Sequence, residues 1–284
     1  MDGFMKKLKI VTDSSCTMEI STRDDLDIHV MPLSVMIDGV IYADDDQLPG
    51  EVFMEKMAAS HELPKTSQPP IGQFVELYDQ LGADGSDILS IHMSKGLSGT
   101  VEAARQASQL SKANVVVLDS DTTDQGLSFQ VIRAAQLAKE GKTLDEVLPI
   151  VEDIQSKTKL YIGVSTLDNL VKGGRISRAK GLISSFLNVR IVMSFEHGEL
   201  KPVIKGRGAK TFSKWFEDFL SEIAQIPNIK QIGISYAGSH EQIARFKEEL
   251  QARFPKMHIP FLHTTPIIAT HTGPGAFAIM YYYE

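Results

Sequence analysis

The stretch Ser94-Lys95-Gly96-Leu97-Ser98-Gly99-Thr100 sets three hydroxyls and two glycines between an apolar run, residues 87–93, and a helix-forming one, residues 101–107. A strand-to-helix turn of this kind lies at the carboxyl end of its strand in an open α/β sheet. Backbone N–H groups and the positive end of the helix dipole gather there and favour an anion. The same residue types also serve simply to turn the chain and cap a helix, so the turn alone leaves both readings open. Thr66 and Ser67 stand before Pro69-Pro70, whose rings hold an extended entry into the next helix and leave the two hydroxyls in a stiff loop. His271 precedes Thr272-Gly273-Pro274-Gly275, a glycine and proline turn where unusual backbone angles are available to shape a binding site.

Ser98, His271 and a strand-end aspartate, Asp13 or Asp119, suggest an acyl or phosphoryl hydrolase. The nucleophile elbow needs a glycine two residues beyond the serine, whereas Gly99 follows Ser98 directly. Neither G-x-x-x-x-G-K-[ST] nor G-x-G-x-x-G occurs, and neither His-Glu-x-x-His nor a histidine-cysteine cluster marks zinc. Asp44-Asp45-Asp46 has no ordered ligand spacing and reads as a solvated turn. What remains is a set of neutral hydroxyls, backbone N–H groups and one histidine, suited to holding a single carboxylate or phosphate.

The elements that must position these groups follow from apolar periodicity. Strands are predicted at 8–12, within 28–37, at 40–42, 87–93 and 114–118, with Asp13-Ser14-Ser15 opening a helix after the first. Helices are predicted at 51–59, 71–81, 101–107, 125–140 and 144–157, the last with Thr143 and Glu146 as a capping box. Alternating strands and helices with right-handed crossovers give a mostly parallel sheet covered on both faces. After about residue 158 the texture changes: a strand at 160–164, a short helix at 167–171, a hairpin of 189–195 with 200–205, a helix at 210–226, a strand at 231–236, a helix capped by Ser239 and Gln242, and a β-rich tail. The fold class is therefore α/β. An N-terminal Rossmann-like domain spans residues 1–158, and a C-terminal α+β domain with a mixed sheet and helices on one face spans 159–284.

Composition agrees with a soluble globular chain: 284 residues, 43% hydrophobic and 23% charged. A net charge of −7 argues against nucleic acid, although basic residues cluster at 172–180 and 201–210. The single cysteine, Cys16, cannot form an internal disulfide, and no apolar run reaches the ~20 residues of a membrane span or the length of a signal peptide. The expected setting is the cytoplasm.

Four separated motifs then carry a resemblance. Thr66-Ser67-Gln68-Pro69, Gly96-Leu97-Ser98-Gly99-Thr100, Leu170-Val171-Lys172-Gly173-Gly174-Arg175-Ile176 and His271-Thr272-Gly273-Pro274-Gly275 appear in the order and approximate spacing of the bacterial DegV family, and Val11-Thr12-Asp13-Ser14 opens the chain in that family's manner. The resemblance covers the chain from end to end. It implies a long-chain fatty acid buried between two domains, no cofactor, no catalysis by the protein itself, and delivery of the ligand to the catalytic subunit of a fatty acid kinase that makes acyl phosphate from ATP. Carried over by position, Thr66, Ser98 and His271 hold the carboxylate, with Ser67 and the Gly99 backbone beside them, and Arg207 engages the kinase. Pro70 and Gly208 depart from the family's usual serine and threonine. A slot for the alkyl chain needs an apolar wall, since each buried methylene contributes about 0.8 kcal/mol, and Leu182, Ile183, Phe186 and Leu187 offer one.

Overall fold

The computed structural model describes residues 6–178 and 189–284. The proposed wall Leu182, Ile183, Phe186 and Leu187 and the end of the first basic cluster lie outside the described residues.

In chain order the first half runs β1 (Leu8–Asp13), α1 (Ile20–Asp25), β2 (His29–Met31), β3 (Ser34–Ile37), β4 (Val40–Ala43), α2 (Gly50–Ala59), β5 (Lys65–Ser67), α3 (Ile71–Gly82), β6 (Asp87–His92), α4 (Thr100–Leu110), β7 (Val115–Asp119), α5 (Asp124–Lys139) and α6 (Leu144–Lys157). The second half runs β8 (Thr158–Val164), α7 (Asp168–Lys172), β9 (Arg190–Glu196), β10 (Glu199–Gly206), α8 (Lys210–Ile223), β11 (Ile229–Tyr236), α9 (Glu241–Arg253), β12 (Phe261–His263), α10 (Pro266–Thr272) and β13 (Phe277–Tyr283).

Strands β2-β1-β6-β7 form a parallel sheet. Its residues alternate sides: Val11 and Ile88 pack with Phe74, Tyr78 and Ala104 of α3 and α4, whereas Ile10, Leu89 and Ile91 pack with Leu127 and Val131 of α5. The second sheet, β10-β9-β8-β13-β11-β12, is antiparallel except for β11 with β12. It alternates too: Ile279 and Tyr281 face Trp215, Phe219 and Phe246 of α8 and α9, while Ala278 and Met280 face the opposite way. That opposite face is covered by α5 and α6, so the same two helices fill the space between the sheets. The second half's own covering helices, α8 and α9, lie on one face as expected, and the other face is covered from the first half, chiefly by α5, which is buried along most of its length, with the single apolar stripe of α6 beside it. The predicted parallel strand at 114–118 is β7, the sheet's edge, and is half-buried throughout rather than covered.

The run at 28–37 is two strands. Pro32 removes a ladder N–H, β2 stays in the parallel sheet, and β3 leaves it to form a small antiparallel sheet β4-β3-β5. Asp38 and Gly39, with φ of +46° and +82°, make the hairpin turn between β3 and β4, and His197 and Gly198, at +51° and +78°, make that between β9 and β10. A Cβ on Gly96 would come within 2.4 Å of the Gly198 Cα, so glycine at this position lets the second hairpin sit directly on the Ser94–Thr100 turn. At the open edge, Pro202, a bulge before Ile204 and exposed Lys201 and Lys205 discourage pairing with another strand.

Two expected caps are absent and one is present. Asp13 Oδ1 accepts the Ser15 N–H at 3.0 Å and stabilises a turn, while α1 starts only at Ile20. Ser239 bonds Glu241 at 2.6 Å and Gln242 reaches Ala209 and Ser213, leaving His240 as the residue before α9. The Thr143 and Glu146 capping box forms as read.

The triple aspartate is a turn, solvated at Asp45 and Asp46 but not at Asp44. Asp46 takes the Arg23 guanidinium in a two-pronged pair at 2.9 Å, Asp45 accepts the Gln47 N–H, and Asp44 is 4% exposed. Among the described residues no group of three or more His, Cys, Asp or Glu side chains is placed to hold a metal. Burial pushes the Asp44 carboxyl up to about 7, with hydrogen bonds from Ser14 and Ile267 opposing only in part. A raised native pKa means that the folded state holds a proton the unfolded chain has lost. The stability this gives is present below the unfolded value near 3.8 and lost as pH rises through about 7. Asp44→Asn is therefore expected to melt at a clearly higher temperature than wild type at about pH 8 and at a similar one near pH 4, as read by calorimetry across that range.

Candidate functional site

The turn after β6 is wired before any ligand is considered. Ser94 N–H donates to the Thr122 carbonyl at 2.8 Å, Leu97 N–H to the Ser94 carbonyl at 2.9 Å, and Gly96 N–H to Ser94 Oγ at 3.2 Å. Ser98 Oγ accepts the Thr100 N–H at 3.2 Å and lies 2.8 Å from Thr100 Oγ1, at the entry to α4. Thr100 is fully buried, so its hydroxyl can spend its proton on Ser98 Oγ, which frees the Ser98 proton for a ligand.

Thr66 is not in a loop at a helix mouth. It lies in β5, paired with Val35 of β3, and the ladder rather than the prolines fixes its direction. His271 is not in the glycine turn but in the last turn of α10, which Gly273 ends with φ of +77°. These elements bring Thr66 Oγ1 within 2.8 Å of His271 Nε2 across most of the chain length.

Nδ1 of His271 is buried with no partner. Gly173 lies against that edge, and a Cβ there would come within 2.3 Å of Nδ1. A buried unpaired N–H is costlier than a buried unpaired acceptor nitrogen, so the hydrogen belongs on Nε2. Nε2–H then donates to Thr66 Oγ1, and the Thr66 O–H is free to donate outward. Burial first, and then the positive charge of Arg175, push the His271 pKa down to about 4, which keeps the ring neutral at physiological pH.

Arg175, in the third of the family motifs, joins the site although nothing in its local sequence marks that role. Its Nη1 donates to the Gly173 carbonyl at 2.8 Å and its Nε to the Leu97 carbonyl at 3.2 Å, tying the segment after α7 to the turn that bears Ser98. Asn169 of α7 donates to the Thr270 carbonyl at 2.9 Å, and so fixes α7 against α10 and Gly173 against His271.

Thr66, Ser67, Ser98, Gly99, His271 and Arg175 all border one cavity of about 360 Å³. Gln68 borders it as well, and a Cβ on Gly99 would strike its Oε1 at 2.1 Å. The rest of the lining is mostly apolar, with Leu33, Met93, Leu97, Leu170, Met193 and Leu200 from both halves of the chain beside Thr123 and Thr272. Single strand residues such as Met193 carry no periodic signal of their own, so this part of the lining is visible only in the structure. Arg207 is exposed, just past the end of β10, and does not border the cavity.

The hydrolase arrangement is not assembled. His271 bonds Thr66 rather than Ser98 and has no carboxylate at Nδ1. Asp13 instead pairs with His92 at 3.0 Å, His92 with Ser90 at 2.6 Å and Ser90 with Tyr78 at 2.7 Å. Asp13, His92 and Ser90 have the residue types of a triad, but each is 0% exposed and no substrate reaches them. They fill the crevice between β1 and β6, where the strand order reverses and where an open sheet usually binds its nucleotide.

Comparison with known proteins gives a consistent picture. A DegV domain-containing protein of Streptococcus pneumoniae is 53% identical over 280 residues, covering 99% of this chain and all of the relative. The crystal structure of DegV from Bacillus subtilis, described as a fatty acid binding protein, superposes with a TM-score of 0.89 at 30% identity, covering 98% of this chain and 100% of that one. A Thermus thermophilus DegV family protein, described through its fatty acid binding, gives 0.88 at 28% identity with the same coverage. The profile of the DegV family, described as uncharacterised proteins, matches residues 7–284, and the chain belongs to that family.

Proposed function

We propose that this protein binds a long-chain fatty acid in the cavity between its two halves, which we take as domains, with the carboxylate at Thr66 and Ser98. The observation that carries the reading is a cavity that brings the hydrogen-bonding groups of Thr66, Ser98 and His271 together within a lining that is otherwise mostly apolar. An amphiphile with one anionic head matches that division, and burial of its chain at about 0.8 kcal/mol per methylene supplies the affinity. His271 acts through Thr66: by donating to its oxygen it turns the Thr66 proton toward the carboxylate. Arg175 supplies the positive charge that the neutral imidazole does not, and Ser67 and the Gly99 backbone border the head group. The solved relatives described as fatty acid binding proteins support the same ligand class.

Ser67, Gln68 and Gly99 are exposed, which leaves the head group reachable from outside. This supports a carrier that presents the carboxylate to a kinase subunit, whose ATP is attacked by a carboxylate oxygen at the γ-phosphorus to give acyl phosphate and ADP. Arg207, exposed in the second basic cluster, is the residue we assign to that contact, in a cytoplasmic setting. Among the described residues no helix is long and apolar enough to cross a membrane.

Protein purified without detergent or added lipid and extracted with organic solvent is expected to yield about one equivalent of long-chain fatty acid by mass spectrometry. Extracts without fatty acid, from protein that also fails to bind added oleate, would sink the proposal.

A further inference from the structure

The rim of the cavity carries a polar group that the cluster of Thr66, Ser98 and His271 leaves unused. Gln68 follows β5 and precedes Pro69, and a residue before proline is held extended. Side chains two apart along an extended chain point to the same side, so Gln68 is turned the same way as Thr66, whose Oγ1 meets His271. Gln68 borders the cavity and is exposed, which places its carboxamide at the mouth. Among the described residues that carboxamide makes no hydrogen bond.

Gly99 fixes where the carboxamide lies. Its backbone, with φ −74° and ψ 5°, has the negative φ that other residues also adopt, so conformation does not call for glycine. Space does. A Cβ on Gly99 would stand 2.1 Å from Gln68 Oε1, 3.1 Å from Cδ and 3.5 Å from Nε2. The carboxamide thus packs on the residue next to Ser98, while its own chain position is two beyond Thr66. A carboxylate accepts at two oxygens with about four lone-pair sites, of which Thr66 and Ser98 use two, and a primary amide brings two further donors. Donation to an anion is stronger than donation to a neutral oxygen, so an amide placed here separates a carboxylate from an uncharged head.

We infer that Gln68 is a specificity residue for the head group: its side-chain N–H groups close over the outer side of the carboxylate at the mouth and favour an anionic head over a neutral one. The inference rests on the fatty acid reading of the cavity. The test uses delipidated full-length protein and measures oleate and oleyl alcohol by competition against a fluorescent fatty acid at about pH 8, where carboxyl groups are ionised. Gln68→Ala is expected to bind oleate about tenfold more weakly, the lower end of the range for a hydrogen bond to a charged group, and oleyl alcohol within about twofold of wild type. Gln68→Glu sets one carboxylate against another and is expected to lose more oleate affinity than Gln68→Ala while keeping oleyl alcohol. Gln68 Oε1 ends a flexible side chain, so Gly99→Ala is expected to fold, push the carboxamide aside and match the oleate loss of Gln68→Ala. The two changes combined are then expected to be no weaker than either alone. Gln68→Ala that binds oleate as wild type does, equal losses for oleate and oleyl alcohol, or fully additive losses in the combined variant overturn the inference and leave the fatty acid reading standing. Wild-type protein that binds neither ligand overturns the reading itself.

Discussion

Thr66→Val is expected to bind oleate roughly 10- to 100-fold more weakly than wild type, the range set by losing one hydrogen bond to a charged group. Valine keeps the β-branched shape that suits β5 and removes only the donor. Because His271 Nε2 lies 2.8 Å from Thr66 Oγ1, its contribution passes through that oxygen. His271→Ala should therefore weaken binding strongly in the wild-type background and little further in Thr66→Val, an interaction that a double-mutant cycle reads directly. Protonation supplies a second check. With the ring's pKa at about 4, its stabilising effect on the fold is present above the ordinary value of 6.5 and lost as pH falls through about 4. Oleate affinity is thus expected to stay flat from about pH 6.5 to 8 once ligand ionisation is accounted for. An affinity that falls as pH rises through 6.5 would mean that a histidine cation, not a neutral donor chain, holds the carboxylate.

Asp13→Asn is expected to lower the free energy of unfolding by about 3–5 kcal/mol, the range for leaving buried polar partners unmatched. The side chain is fully buried. Oδ1 accepts the Ser15 N–H and O–H at 3.0 and 2.6 Å, and Oδ2 accepts His92 Nδ1–H at 3.0 Å and the Met93 N–H at 2.9 Å. Burial raises the carboxyl's pKa, but the hydrogen bond and charge of His92, with Ser15 and Met93, hold it below the ordinary value of 3.8. An asparagine amide must point its own donors at one of these donor pairs. Urea unfolding should show a lower midpoint with an unchanged slope. The Met93 N–H begins the turn that carries Ser98, so oleate binding should weaken as well. A midpoint within a few tenths molar of wild type would show that the carboxylate does not hold this crevice together.

Much of this molecule was legible in the chain because its signals are local. The β1, β6 and β7 runs, the helices, the Asp38-Gly39 turn and the capping box of α6 each depend on residues a few positions apart, where periodicity and turn chemistry act. The departures share a cause. Thr66 looked like loop because β5 is three residues long and exists only through pairing with β3. Asp44 looked solvated because burial by distant segments leaves no mark on its neighbours in sequence.

By itself the sequence determined the α/β class, the change of texture after the first sheet, and the family motifs bearing Thr66, Ser98, Arg175 and His271. Only the tertiary structure decided that Thr66 meets His271, that Gly173 leaves the imidazole Nδ1 unpaired, and that Arg207 stays off the cavity lining. The reason is physical: helix and strand signals arise from neighbours along the chain, whereas burial, protonation and hydrogen-bond direction are set by groups that meet only when the two sheets close on α5 and α6.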